Sequence, residues 1–180
     1  MTGPRTPSEA RKSSFPPVVS ADTRLLLLGS LPGEASLRAE RYYAHPQNQF
    51  WRLTGALVGD EDFHLLDYQA RLARLLASGV GLWDVVADAV RDGSLDAAIR
   101  DHRPNDLAAL VASLPSLRAI GFNGGTAARL GRRMIGAPQG IALVDLPSSS
   151  PAFTRSLAEK REKWVGLRGF LEPIAEFRRD

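Results

Sequence analysis

The stretch RLLLLGSLPGEASLRAERYYAHPQNQFW, residues 24–51, decides how the chain is read. Its four consecutive leucines, 25–28, read as a strand buried on both faces. The run stops at the turn Gly29-Ser30-Leu31-Pro32-Gly33, which places that turn at a strand's carboxyl end, where open α/β sheets keep their ligand sites. Behind it come Tyr42 and Tyr43, a His-Pro, an Asn and a Phe-Trp pair. That is a higher density of ring faces and amide groups than a connecting loop needs, and it predicts a pocket for something flat.

Outward from this stretch, apolar spacing predicts helices over 48–58 and 67–77, then a strand over 80–86. Asp92-Gly93-Ser94 reads as a break, followed by short helices over 94–100 and 105–113. A strand over 118–123, a helix opening at Gly124 and running to Arg133, a strand over 141–146 and a long helix over 154–170 complete the pattern. Ser156 and Glu159 have capping-box spacing at the start of that last helix. Four strands alternating with helices predict an α/β fold: three layers, α/β/α, around a central four-stranded parallel sheet. Residues 15–180 form one domain in this reading. Residues 1–14, without periodicity and rich in Thr, Pro, Ser, Arg and Lys, are expected to be a disordered basic tail.

Composition narrows the chemistry. A chain of 180 residues suits one domain with a full core. Its 23 basic and 20 acidic residues tolerate a nucleic-acid partner without demanding one. With no Cys, disulfides, thiolate zinc sites and thiol nucleophiles are excluded. His45, His64 and His102 fit no metal-ligand spacing, so neither a metal nor another cofactor is expected. No apolar run approaches the ~20 residues of a membrane span. A soluble, cytoplasmic protein, acting as a monomer, is the expectation.

The segment 24–51 resembles motif 1 of the uracil-DNA glycosylase superfamily, with the strongest likeness to the mismatch-specific uracil and hypoxanthine-DNA glycosylase branches. Those branches carry a strand, a G-x-x-P-G or related turn, and a His-Pro-x-Asn-x-Phe-Trp segment, here Gly29 to Gly33 and His45 to Trp51. The spacing to Gly79-Val80-Gly81-Leu82-Trp83-Asp84, to Ala119-Ile120-Gly121-Phe122-Asn123-Gly124 and to Leu146-Pro147-Ser148-Ser149-Ser150-Pro151-Ala152 also follows the family. The resemblance implies a DNA glycosylase that extrudes a deaminated base, hypoxanthine or uracil, from double-stranded DNA and hydrolyses its glycosidic bond.

The resemblance also implies roles. Relatives often place an Asp or Asn in the turn to position water, but the matching residue here is Leu31; the hypoxanthine branch relies on an Asn further along, which maps to Asn48. Asn48 is equally suited to cap the helix it precedes. Ser30, the hydroxyl of the turn, and Asp84 join it as catalytic candidates, Asp84 being alternatively a helix cap. Tyr43 or Phe50 stacks on the base, and Leu31, Asn123 and Ser148 line it. Asn123 before Gly-Gly is also ordinary turn chemistry. Ser149, Ser150, Pro151, Ala152, Phe153 and Arg155 are expected on DNA, with Ala152 at the wedge position and Phe153 beside it. Arg129, Arg132, Arg133 and Lys160 are further candidates for a basic rim. Lysines occur only at 12, 160 and 163, outside every motif, so the enzyme is expected to be monofunctional, without strand cleavage. The rival readings are a uracil-specific enzyme of the same superfamily, a binding module that has lost catalysis, and a small-molecule α/β enzyme; the last lacks the glycine patterns that phosphate cofactors use.

Overall fold

The computed structural model describes residues 11–172, beginning with a short strand, β1 (Arg11–Ser13), ahead of the leucine strand β2 (Leu25–Gly29). Leu25 and Leu27 enter one hydrophobic cluster and Leu26 and Leu28 another, all four fully buried, as the two-sided burial of the run requires. Burying each side chain is worth about 1.5–3 kcal/mol. After the turn come a short helix α1 (Glu34–Ala39), α2 (Phe50–Val58) and α3 (Tyr68–Ala77), the last capped by Asp67, whose carboxylate accepts from Ala70 N. Strand β3 (Val80–Asp84) pairs in parallel with β2. Strand β6 (Ala119–Asn123) pairs with β2 on its other side, and β7 (Ala142–Leu146) closes the order β3-β2-β6-β7.

Helices α2, α3 and α6 (Leu157–Val165) cover the face bearing Leu25 and Leu27; α4 (Leu107–Ala112) and α5 (Gly125–Ile135) cover the face bearing Leu26 and Leu28. This is the three-layer arrangement around a four-stranded parallel sheet that the sequence predicts. The capping box at Ser156 and Glu159 is present. The last helix is shorter than expected: it ends at Val165 and tightens into a 3-10 segment over Gly166–Leu171. No helix among the described residues is long and apolar enough to cross a membrane.

Two departures matter for the site. The strand expected over 80–86 is two strands, because the chain leaves the parallel sheet after Asp84. Asn105 Nδ2 holds the carbonyls of Asp84 and Val86 on either side of that bend, at 2.8 and 3.3 Å. Strand β4 (Val86–Arg91) then forms an antiparallel hairpin with β5 (Ile99–Pro104), where a short helix over 94–100 was expected; only Asp96–Ala98 make a single 3-10 turn. The second departure is at the amino terminus. Arg11–Ser13, within the segment expected to be a tail, add an edge strand to that hairpin in the order β1-β4-β5, and residues 1–10 lie outside the described residues. Ion pairs from Arg11 and Arg103 to the carboxylate of Asp88 fasten the three strands across their width.

Because β2 is buried on both faces, truncation there should be far costlier than at an exposed leucine. Leu27→Ala is expected to lower unfolding free energy by about 2–5 kcal/mol. Leu65→Ala, at a side chain 71% exposed, should stay within about 0.5 kcal/mol. Urea titration of the two variants measures both.

Candidate active site

The parallel register delivers the site. Gly29 lies opposite Asp84, and Leu28 opposite Phe122, so that Gly29, Asp84 and Asn123 end their strands on one rim. A cavity of about 450 Å³ opens there, a size suited to one small ligand. Its walls are the 29–33 turn, residues of the 42–48 loop, the 94–96 loop between β4 and β5, and the 148–153 loop ahead of α6.

Gly29 is the floor. A Cβ built there would lie 2.8 Å from both Asp84 Oδ1 and Tyr43 Oη, so only glycine lets the strand pass beneath those two oxygens. Asp84 is buried, and burial pushes its carboxyl up to about 7; the nearby Asp96 charge adds to this, while a 2.7 Å hydrogen bond from Ser14 Oγ to Oδ2 and the Arg91 charge oppose it. Ser14 belongs to the segment expected to be tail; here it holds the Asp84 carboxyl without lining the cavity. An acid titrating near neutrality can give or take a proton in the working range.

Tyr43 holds a left-handed backbone conformation, φ 51°, which turns its ring onto Phe50. The rings stack with centroids 3.7 Å apart and planes 8° from parallel. Phe50 is fully buried, backed edge-on by Trp51 and Trp164, and does not line the cavity. Of the two rings expected to stack on a base, Tyr43 is therefore the one that faces the cavity, and Phe50 supports it from behind. Trp51 anchors α2, as its helix-start position implies.

Asn48 lines the cavity, and its Oδ1 accepts from Phe50 N at 3.0 Å. That bond fixes the orientation of the amide, since only oxygen can accept there. Nδ2 has no protein partner among the described residues. Asn48 is not the cap that the sequence suggests, since Gln49 is the N-cap residue of α2 and no side chain makes a cap bond there; Asn48 Oδ1 instead closes a local turn onto Phe50 N, and the other end of its amide is a donor.

Asn123 lines the cavity and braces it. Its Nδ2 donates to Ser149 Oγ at 2.9 Å and to Tyr43 Oη at 3.2 Å, and its Oδ1 accepts from Ser149 N at 2.8 Å. Both amide hydrogens are committed to protein. Ser149 in turn is buried, and its carbonyl accepts from Gln49 N, so it ties the 148–153 loop to the start of α2 and is not available as a DNA contact. Leu31 borders the cavity, but its side chain belongs to the core beside Val85. Ser148 and Ser150 line the cavity with hydroxyls that accept from Ser150 N and Ala152 N, shaping the loop. Pro151 and Ala152 are exposed at the mouth. Phe153 projects there with Arg155 and Lys160 over its ring at 5.9 and 5.4 Å. Arg155 is exposed outside the cavity wall, and Arg132 is spent on Asp145.

A sequence profile of the uracil DNA glycosylase superfamily matches residues 16–168. The chain belongs to that superfamily. It is 40% identical over 155 residues to a hypoxanthine DNA glycosylase of Methanosarcina barkeri, covering 86% of this chain and 96% of that one. A hypoxanthine DNA glycosylase of Methanosarcina acetivorans is 39% identical over 156 residues, 87% and 97% of the two chains. A solution NMR structure of a candidate uracil DNA glycosylase from Methanosarcina acetivorans superposes with a TM-score of 0.79 at 36% identity, over 91% of this chain and all of that one.

Within this superfamily member, two residues of the site, Arg91 and Asp96, escape a reading by motif, and Lys160, expected on a basic rim, is buried instead. Arg91, almost wholly buried, donates to the carbonyls of Leu31, Pro32 and Gly93, joining the 29–33 turn to the 94–96 loop. Asp96 accepts from Ser30 Oγ at 2.6 Å; burial raises its pKa, against the Ser30 bond and the Arg91 charge. Lys160 is buried below Phe153 and donates to Ser150 O at 3.3 Å, supporting the loop without lining the cavity. The signal for the first two was the Asp92-Gly93 pair, a hairpin turn signature.

The raised midpoint of Asp84 makes stability depend on pH. Between pH 4 and 7 the native state keeps a proton that the unfolded chain has released, so stability falls as pH rises across that window and levels above it. A displacement from 3.8 to about 7 corresponds to a penalty on the order of 4 kcal/mol. Asp84→Asn, which can still accept from Ser14, should melt close to the parent at pH 4 and above it at pH 8. Parallel melting curves at both values would mean that Asp84 carries its charge at no cost.

Proposed function

We propose that the protein is a monofunctional DNA glycosylase that extrudes deaminated bases, hypoxanthine first and uracil second, from double-stranded DNA and hydrolyses the bond to C1′. The observation that carries this reading is the cavity on the sheet's carboxyl rim, where a Tyr43 platform backed by Phe50, the Asn48 amide and a carboxyl titrating near pH 7 meet. A flipped base stacks on the free face of Tyr43, an interaction worth roughly 1–3 kcal/mol. Asn48 Nδ2 donates to the base as negative charge develops on it, or to the incoming water. The water oxygen bonds to C1′ as the C1′–N bond breaks and its electron pair leaves with the base as an anion; Asp84 takes the water's proton and gives it up through solvent to the base anion, so that neutral base is released and the carboxylate restored.

Phe153 enters the stack in place of the extruded nucleotide, and Arg155 meets a phosphate. The reaction draws on water and protein groups alone, which suits a monomer working in the cytoplasm without a cofactor. Release of free base from duplexes containing inosine, uracil or xanthine, followed by alkaline cleavage, tests the reading. Tight binding with no base released would favour a module that has lost catalysis. Borohydride should trap no covalent adduct, since the amine of Lys160 is held beneath the loop.

Asn48→Asp keeps the acceptor for Phe50 N and removes the donor. It should melt within about 1 kcal/mol of the parent, as expected when the acceptor of a local hydrogen bond is retained. Its single-turnover excision should fall by about 10²–10³-fold. Near-normal excision by a folded variant would leave Asn48 with only its turn-forming role. Phe153→Ala should slow excision from well-paired duplexes more than from mismatched or single strands, because a wedge matters most where stacking resists extrusion. Equal losses on all three substrates, in parallel assays, would remove Phe153 from that role.

A further inference from the structure

The 94–96 loop contributes a chemistry that the mechanism above does not use. Ser30 and Asp96 both line the cavity, and the single hydroxyl hydrogen of Ser30 is committed to Asp96 Oδ1 at 2.6 Å. The Ser30 oxygen is left with lone pairs only. Asp96 has no cation within ion-pair distance among the described residues; the neighbouring guanidinium of Arg91 is turned to backbone carbonyls instead. The Ser30–Asp96 pair, with Asp96 ionised, therefore offers acceptors and no donors.

The loop holding Asp96 is built to stay in place. Arg91 joins it to the 29–33 turn, Ser94 Oγ accepts from Glu34 N at 2.9 Å, and Lys12 Nζ donates to Gly93 O at 2.7 Å. The acceptor wall is thus fixed relative to Gly29, the floor on which the base would rest.

Deamination changes one ring position from acceptor to donor. Adenine N1 and cytosine N3 carry lone pairs, whereas hypoxanthine N1 and uracil N3 carry hydrogens beside a carbonyl. A fixed acceptor wall hydrogen-bonds the second kind and repels the first. We propose that the Ser30–Asp96 pair selects deaminated bases over their parent bases by accepting their ring N–H, and so sets the enzyme's discrimination against adenine and cytosine. The proposal rests on the glycosylase reading given above and assigns the specificity of that same cavity. A site organised around a substrate hydrogen rejects analogues lacking it because its own buried groups are then left unpaired.

The test uses full-length protein and matched duplexes carrying one inosine or one nebularine, whose purine ring lacks both the N1 hydrogen and the 6-oxygen, under single-turnover conditions. Asp96→Asn replaces the carboxylate with a group that can donate into the wall or to Ser30. Inosine release is expected to fall about 100-fold while nebularine release changes less than threefold, so that the ratio of the two rates collapses. Ser30→Ala should shift the ratio in the same direction by a smaller factor, and it serves as the decisive variant if Asp96→Asn does not fold. Equal slowing of both substrates would show a structural or proton-transfer role and overturn the proposal, as would an unchanged ratio. If the parent protein releases no base from inosine or uracil duplexes, the glycosylase reading itself fails. Active parent protein with an unmoved ratio in the variants defeats only the selection proposal.

Discussion

The site depends on the double-sided burial of β2. With Leu25 and Leu27 in one core and Leu26 and Leu28 in the other, the strand cannot slip by one residue without exchanging both sets of side chains between two differently shaped interiors. Its ladders to β3 and β6 then hold Gly29 against Asp84 and keep Asn123 on the same rim. Hydrophobic packing thus fixes where the polar groups stand, before any of them makes a bond. The missing Cβ of Gly29 converts that alignment into a cavity floor, because an alanine would collide with Asp84 and Tyr43 together.

Around that floor, the walls are braced by buried polar groups that reach both backbone and side-chain partners. Arg91 spans two loops through carbonyls, Asn123 clasps the backbone and hydroxyl of Ser149, and Trp164 Nε1 donates to Pro147 O at 3.0 Å. A satisfied network of this kind in a low-dielectric setting is rigid, and removal of one member strands another. Rigidity has a chemical use: Tyr43, Asn48 and Asp84 keep their geometry without a ligand to organise them.

Much of this was legible in the residues. The leucine run announces its strand, alternating strands and helices announce the parallel sheet, and the turn after β2 locates the rim by the rule that ligands sit at strand carboxyl ends. The hairpin was not legible as such, because β4, reading VADAVR, follows β3 after a single residue and merges with its apolar run, and β5, reading IRDHRP, is largely exposed and carries no apolar alternation. With the hairpin unread, Arg91 and Asp96 had no place in the site. The choice between Tyr43 and Phe50 was closed to the sequence for a different reason: which ring faces the cavity is set by the left-handed backbone at Tyr43 and by the packing of Trp51 and Trp164, neither of which leaves a local pattern. Asn48 showed the opposite situation: the sequence offered it as a helix cap or a chemical group, and in the structure the cap position falls to Gln49 while Asn48 steadies the turn ahead of it.

The amino-terminal strap has a consequence for how the protein comes into being. Ser14 reaches Asp84 across 70 residues of chain, Arg11 reaches Asp88 across 77, and Val18 bridges to Leu82. During synthesis at roughly 5–20 residues per second, the strap leaves the ribosome several seconds before its partners exist. It must wait as unpaired chain while the leucine strand beside it is already made, and the cavity floor closes only once β3 and β4 have emerged. The strap, made before its partners, is among the last segments to settle, so the site acquires its acid late, after the scaffold that will hold it.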